Sequence, residues 1–338
     1  MAREPRQRER RLQLGTQSSM TAAPYTLALV HVGPTLPEYL VDAIAQARLF
    51  NTCPIALIAN KQALSSFDLA AHDVTGVAIE SLEQTEAHHA FNSHSPLDKE
   101  ALGGFWQYTS ERFFYLHAYM QQAPNRPVFH IENDVMLYRN LEELYPHIQG
   151  PIAGTLDSDI RCVPGFIYFK TAAALGHAAE FFVNIVQNHA LPDLNDMILW
   201  AAYWRTFGNG FFTPLPVIPA HYPQPLSSRS GHNVRDAKVY SHGFSTLQSI
   251  FDAAAIGQYL GGVDPRNSQG ASTVGFINES AVYSPDAFEY AWERGAKGLW
   301  TLVASLGQRS FAVNNLHIHC KNLEAFRSDQ DGVPGINH

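Results

Sequence analysis

The chain has 338 residues, 46% apolar and 16% charged, a composition that suits a globular protein with a sizeable core and excludes general disorder. Its 23 basic and 31 acidic residues leave a formal net charge of −8, which repels a phosphate backbone and excludes nucleic acid as the main partner. Three cysteines, Cys53, Cys162 and Cys320, are too few and too scattered for a disulfide framework or a Cys-rich zinc site. No apolar run approaches the roughly 20 residues that span a bilayer, and the opening MAREPRQRERR lacks the apolar stretch of a secretory signal. The expectation is a cytoplasmic enzyme with no transmembrane segment.

Residues 1–22 are polar, Arg-rich and free of aromatics, so they read as a disordered tail, and Met20 offers an alternative start. The run TLALVHV (Thr26 to Val32), closed by Gly33-Pro34, reads as a buried strand. Thr35 can cap a following helix with Pro37 in its first turn and Leu40, Val41, Ile44 and Leu49 as its apolar stripe. CPIALIAN (Cys53 to Asn60) and GVAIE (Gly76 to Glu80) read as further strands, and strands alternating with helices imply parallel β-α units. A helix is expected from Thr109 to Gln121, capped by Thr109 or Ser110. The strand PVFHI (Pro127 to Ile131) then runs into Glu132-Asn133-Asp134, followed by VMLY and a short LEELYPHI helix. In the second half, GFIYF (Gly165 to Phe169) reads as a strand, Thr171 to Gln187 as a helix, and LNDMILWAAYW as another. Beyond Pro214 come Pro-, Gly- and Ser-rich loops, the segment FDAAAIGQYLGGVDPRN and a closing strand NNLHIHCKNL. The domain reading is a tail to residue 22, a first half 23–155, a second half 156–325 on the same sheet, and a C-terminal tail 326–338.

Ligands of open parallel sheets bind at the carboxyl ends of the strands, where this chain delivers Glu132 and Asp134 one residue apart. Two close carboxylates repel unless a cation or proton lies between them, and hard oxygen ligands suit Mg²⁺ or Mn²⁺ holding a diphosphate. The bland alternative is a solvated turn capped by Asn133. In an extended NNLHIHCKNL, His317, His319 and Lys321 share a face, so an imidazole can complete a metal's coordination and an ammonium can neutralise phosphate. A solvated edge strand is the plain alternative, and a two-His zinc site lacks a third ligand.

The segment HIENDVMLYRNLEEL resembles the DxD segment of GT-A glycosyltransferases, most of all family 8, whose pattern is strand–DADV–apolar–L-x-E-L. Glu132 and Asp134 stand where that family has its two aspartates. PGFIYFK, LNDMILW and LHIHCKNL follow the family's order of a glycine-led strand, an Asp-Gln-rich helix and a terminal His/Lys motif. The resemblance spans Thr26 to Leu323. It departs from the pattern in having Glu for the first Asp and in lacking the His-x-x-Gly-x-x-Lys spacing. It implies a GT-A-like α/β fold: a Rossmann-like, mostly parallel sheet flanked by helices, with an acceptor-side lobe.

The resemblance also implies roles. Asp134 binds the divalent metal, Glu132 the metal or the ribose, and His319 is the third ligand with His317 as the alternative. Asn133 lies at the nucleotide sugar, Lys321 meets the diphosphate, and the loop from His31 through Val32 and Gly33 to Thr35 lies against base and ribose. Arg112 reaches the diphosphate or pairs with a nearby acid. Asp196 and Asp252 are alternative acids for the sugar side, each with helix capping as its plain role, and Asn278 and Glu279 bind sugar hydroxyls or end a strand. Trp106, Trp200, Trp204, Trp292 and Trp300 suit stacking on sugar rings or simply the core. The implied activity is Mn²⁺- or Mg²⁺-dependent transfer from a UDP-sugar to a glycan, lipid-linked or small acceptor. A sugar-1-phosphate nucleotidyltransferase is the rival enzyme, although HVGPTLPEY has no Arg or Lys where that class carries a basic, Gly-rich loop. A carbohydrate-binding protein without turnover is the rival outside enzymes.

Overall fold

The computed structural model describes residues 23–335 except 192, 227–230, 232, 233, 235, 265–273 and 296. The N-terminal tail reading and the end of the GVDPRN stretch therefore lie outside the described residues. Strand β1 (Thr26–His31) sends Leu27 and Leu29 into one core and Ala28 and Val30 into another. Apolar side chains on both faces mark a strand covered on both sides. Helix α1 (Leu40–Phe50) begins after Tyr39 rather than at Thr35, and buries Leu40, Ile44 and Ala47 on the first face. Full burial of such a Leu or Ile contributes on the order of 1.5–3 kcal/mol. Next come β2 (Ile55–Ala59), α2 (Lys61–Ser65) and β3 (Thr75–Ala78), where a 3₁₀ turn over Ile79–Ser81 replaces the expected continuation to Glu80.

Helix α3 (Glu86–His94), capped by the Thr85 side chain, was not foreseen, because in EAHHAFNSH only His88 and Phe91 are buried and no apolar stripe marks it. Helix α4 (Phe105–Gln121) starts four residues before Thr109, because Gly104 takes the left-handed conformation at φ 78° and turns the chain in. Then follow β4 (Val128–Ile131), β5 (Val135–Leu137) and the one-turn α5 (Leu141–Leu144), capped by Asn140. An unforeseen β6 (Ile152–Ser158) forms a hairpin with β7 (Arg161–Phe169), which extends the strand expected from Gly165. Helices α6 (Ala172–Gln187) and α7 (Asp196–Phe207) are capped by the Thr171 and Asn195 side chains, each such cap stabilising by about 1 kcal/mol. Beyond β8 (Phe212–Leu215) the elements are short: α8 (Phe244–Leu247), β9 (Ser249–Ile250) and α9 (Ile256–Gly261). The chain closes with β10 (Glu289–Arg294), β11 (Trp300–Leu306), β12 (Arg309–Val313) and β13 (Asn315–His317).

The central sheet has seven strands in the order β3-β2-β1-β4-β7-β6-β8. Only β7 runs against the others, pairing antiparallel with β4 and β6, while the remaining pairs are parallel. Residues of α1 cover one face of this sheet, and Phe113, Phe114, Phe182 and Trp200 from α4, α6 and α7 cover the other. The expected mixed, mostly parallel α/β sheet is present. A second sheet, β10-β11-β12-β9, and a β13-β5 ribbon complete the fold. The stretch read as a C-terminal tail from residue 326 is packed at its start. Phe326 and Ser328 are buried, and Ser328 exchanges hydrogen bonds with the Gln46 side chain of α1 at 2.7 and 2.9 Å. Among the described residues no helix is long and apolar enough to cross a membrane.

Candidate active site

Strand β4 ends at Ile131, and the chain turns at once: the Val135 N–H donates to the Glu132 carbonyl at 3.1 Å. That turn carries both acidic side chains off the carboxyl edge of the sheet. Three contacts place the third group. The ribbon pairs His317 opposite Val135, the Ile318 N–H donates to the Asp134 carbonyl at 2.8 Å, and Gly165 of β7 lies against the imidazole. A Cβ on Gly165 would come within 2.8 Å of His317 Nδ1, so only glycine lets β7 pass this close.

His317 Nε2 lies 3.1 Å from a Glu132 oxygen and 3.1 Å from an Asp134 oxygen. Among the described residues, Glu132, Asp134 and His317 form the one group of three or more such side chains whose candidate ligand atoms all lie within 4.8 Å of one another. Asp134 and His317 are buried and Glu132 nearly so. Burial opposes charge on each of the three, and mutual attraction outweighs it. The carboxyls of Glu132 and Asp134 are held well below the usual range by Arg112, His317 and Lys321, while the carboxylates push His317 up to about 10. Two carboxylate oxygens and one imidazole nitrogen, convergent and buried, fit a hard divalent cation such as Mn²⁺ or Mg²⁺.

His319, expected as the third ligand, is not in this group. The strand stops at His317, and a turn follows in which Lys321 has φ 64°, so the alternation that put 317, 319 and 321 on one face ends. His319 Nδ1 instead faces the Gln258 amide at 2.9 Å, and burial beside the positive His317 lowers its pKa to about 3. Lys321 reaches the cluster by way of the turn, with its ammonium on Asp134 Oδ2 and 5.5 Å from the centre of the Tyr39 ring.

Arg112, buried on α4, spends one guanidinium nitrogen on both Glu132 and Asp196, the latter at 2.6 Å. Of the two expectations for Arg112, the acid pairing is present, with two acids instead of one. Asp196, at the start of α7, is within one arginine of the cluster; burial raises its pKa against the pull of Arg112. Asn195, not Asp196, caps the helix.

Asp252, expected as an alternative acid for the sugar side, has both carboxylate oxygens committed to backbone donors. Its Oδ1 accepts from the Ala255 and Ile256 N–H groups and its Oδ2 from those of Gly257 and His317, at 2.8–2.9 Å. A carboxylate filled by four backbone donors has no lone pair left for a substrate proton. The capping role weighed for it is the one it has.

At the exit of β1, the His31 ring meets the Asn133 amide at 3.1 Å, and the Gly33 N–H donates to Asn60 Oδ1 at 2.7 Å. The loop with Val32 and Gly33 therefore lies beside the acidic turn. The aromatic readings resolve toward structure: Trp200 packs on Phe113 and Phe182 in the core, Trp204 is buried, Trp292 abuts Tyr138, and Trp300 carries the Arg294 guanidinium. Trp106 sits edge-on to Phe105. Asn278 closes a local turn by accepting from the Ser280 N–H, and Glu279 beside it is exposed. A second acid-x-acid triplet, Asp157-Ser158-Asp159, went unread although it repeats the first pattern at the end of β6.

No family model matches the chain, and no curated protein matches it. Solved structures similar to it include glycosyltransferases. Mouse xyloside xylosyltransferase 1 in its apo form aligns with TM-score 0.43 and 11% identity, over 57% of this chain and 85% of that one. The galactosyltransferase LgtC, in complex with donor and acceptor sugar analogs, aligns at 0.38 and 10%, over 56% and 73%. The glycosyltransferase GlyE of Streptococcus pneumoniae TIGR4 aligns at 0.38 and 8%, over 56% and 45%. Likenesses this distant carry no assignment, so function has to be read from the site's own residues.

Proposed function

We propose that the protein is a glycosyltransferase that moves a sugar from a nucleoside-diphosphate donor, UDP by default, to a hydroxyl acceptor on a glycan, lipid-linked or small molecule. The observation that carries this reading is the convergence of Glu132, Asp134 and His317 at the carboxyl end of β4, next to the loop that leaves β1. Glu132, Asp134 and His317 would hold the divalent cation, which supplies neutralising charge to the leaving diphosphate. Lys321 stands beside Asp134 to add a fixed positive charge on the phosphate side. His31, Val32 and Gly33 border the nucleoside. Arg112 holds Glu132 and Asp196 in place together. With Asp252 filled by backbone donors, Asp196 is the acid that remains for the sugar.

A second reading has its own observation. Arg112, His317 and Lys321 already surround Glu132, Asp134 and Asp196, so the site is close to charge balance with no ion, and a diphosphate could be held by these cations alone. Calorimetric titration with UDP, GDP, CMP and ADP, in Mn²⁺ and in EDTA, separates the two. Binding of one diphosphate that needs Mn²⁺ and is lost in Asp134→Ala supports the metal-dependent transferase. Binding unchanged by EDTA supports the second reading. Binding of none removes the donor site. Slow hydrolysis of the matching sugar nucleotide then separates a transferase from a carbohydrate-binding protein without turnover.

A further inference from the structure

We infer that Asp252 is a positioning residue: it sets His317 in register for the cation, from a point on the chain 65 residues away. The inference rests on the reading of Glu132, Asp134 and His317 as the metal site. Strand β13 offers only three residues to its partner β5, and a ribbon that short does not hold a side chain by itself. What holds it from the other side is the start of α9. The Asp252 carboxylate gathers the N–H groups of Ala255, which precedes the helix, and of Ile256 and Gly257 at its start, and takes the His317 N–H as its fourth donor. Asn315 repeats the connection: its side chain accepts from the Asp252 N–H at 3.2 Å and donates to the Asp252 carbonyl at 3.3 Å. The helix and strand are pressed together where they meet. A Cβ on Gly257 would stand 2.1 Å from the His317 carbonyl oxygen, a position only glycine allows.

Two layers therefore converge on one imidazole. On one side β5, which directly follows Asp134, pairs with β13, and on the other Asp252 and Gly257 fix the His317 peptide. A carboxylate accepting charge-assisted bonds from four N–H groups is a strong anchor, and it lies 1% exposed, away from competition with water. Loss of the anchor would leave Glu132 and Asp134 where β4 puts them and displace only His317. Outer partners of this sort typically change metal affinity about 10- to 100-fold.

The test is Mn²⁺ binding to the full chain, read as affinity by electron paramagnetic resonance and as imidazole coordination by the ¹⁴N coupling in electron spin echo. Asp252→Asn turns one acceptor oxygen into a donor facing N–H groups. Gly257→Ala pushes the His317 peptide and crowds Asp252 Oδ2 while leaving every charge in place, and it carries the test if the first variant does not fold. The expected result is a 10- to 100-fold weaker site with the ¹⁴N coupling lost, in variants that still unfold cooperatively, while His319→Ala keeps both. A merely structural role would lower the melting temperature and leave the coupling in the folded fraction. Folded variants that keep affinity and coupling overturn the inference alone. Wild-type protein that binds Mn²⁺ without imidazole coupling, or not at all, overturns the metal-site reading and the inference with it.

Discussion

Two acid-x-acid triplets leave the same edge of one sheet, Glu132-Asn133-Asp134 after β4 and Asp157-Ser158-Asp159 at the end of β6, and they have different fates. In the first, both carboxylates reach a single imidazole at 3.1 Å. In the second they diverge. Asp157 pairs with Arg161 at 3.2 Å and accepts from the Ser158 hydroxyl, while Asp159 accepts from the Tyr240 hydroxyl. The local cause is backbone shape: a tight turn follows β4, whereas the β6–β7 hairpin slips register between Leu156 and Ser158. The larger cause is what arrives from elsewhere. His317 and Lys321 come to the first triplet from far along the chain, whereas the second meets Arg161 of its own hairpin and, separately, Tyr240. Spacing of acids is therefore an opportunity, and a distant segment decides whether it becomes a cation site.

Variants can break or sharpen this contrast. The largest effect is expected from Arg112→Leu, which leaves Glu132 and Asp196 buried without their shared counter-charge and should cost about 3–5 kcal/mol in urea denaturation. Arg161→Leu, which takes a partly exposed guanidinium from a fully buried Asp157 carboxylate, should cost less, about 1–3 kcal/mol; equal losses would erase the distinction between the triplets. Asp134→Ala should weaken Mn²⁺ binding about 100-fold, or about 2.7 kcal/mol, in a resonance titration. Asp157→Asn should leave it within about twofold of the wild type, and weakened binding there would make the second triplet part of the site. Tyr240→Phe removes a hydroxyl from the Asp159 carboxylate and should lower stability by about 1.5–3 kcal/mol, with Mn²⁺ affinity unmoved.

The smallest effect lies away from both triplets and sets the pH baseline for reading them. Burial lowers the pKa of His117, partly offset by Glu180. The unfolded chain then takes up a proton before the folded one does, so stability holds above the ordinary imidazole value of about 6.5 and falls as pH drops below it. His117→Leu should flatten the melting temperature between about pH 7 and 5, a difference on the order of 1 kcal/mol. An unchanged slope would mean that His117 takes up its proton equally in the folded and unfolded chain.

Much of the frame was legible in the chain. Apolar runs with both faces hydrophobic marked β1, β2 and β4 as buried parallel strands, and the polar triplet following at Glu132 marked the strand's exit, because the carboxyl ends of such strands are where a sheet opens. Elements without strong periodicity were not legible: α3 and β6 were missed, and α4 began before its expected cap because a glycine at positive φ needs no capping side chain. Within the site, Glu132, Asp134 and the choice between two histidines could be read, since acids and imidazoles announce their chemistry by type.

Which histidine it is, and what surrounds it, belonged to the tertiary structure. The alternation rule covers only residues that stay extended, and the strand ends at His317 because the chain turns there, with Lys321 at φ 64°. Arg112 could be placed on its helix but not assigned its partners, since Glu132 and Asp196 reach it from 20 and 84 residues away. Asp252 reads as a helix cap in the local sequence, and nothing local says that its fourth donor is the His317 peptide, 65 residues away. Local sequence carries residue type, period and turn chemistry. Convergence of segments far apart in the chain is set by how sheets and helices pack, and that is where this site was decided.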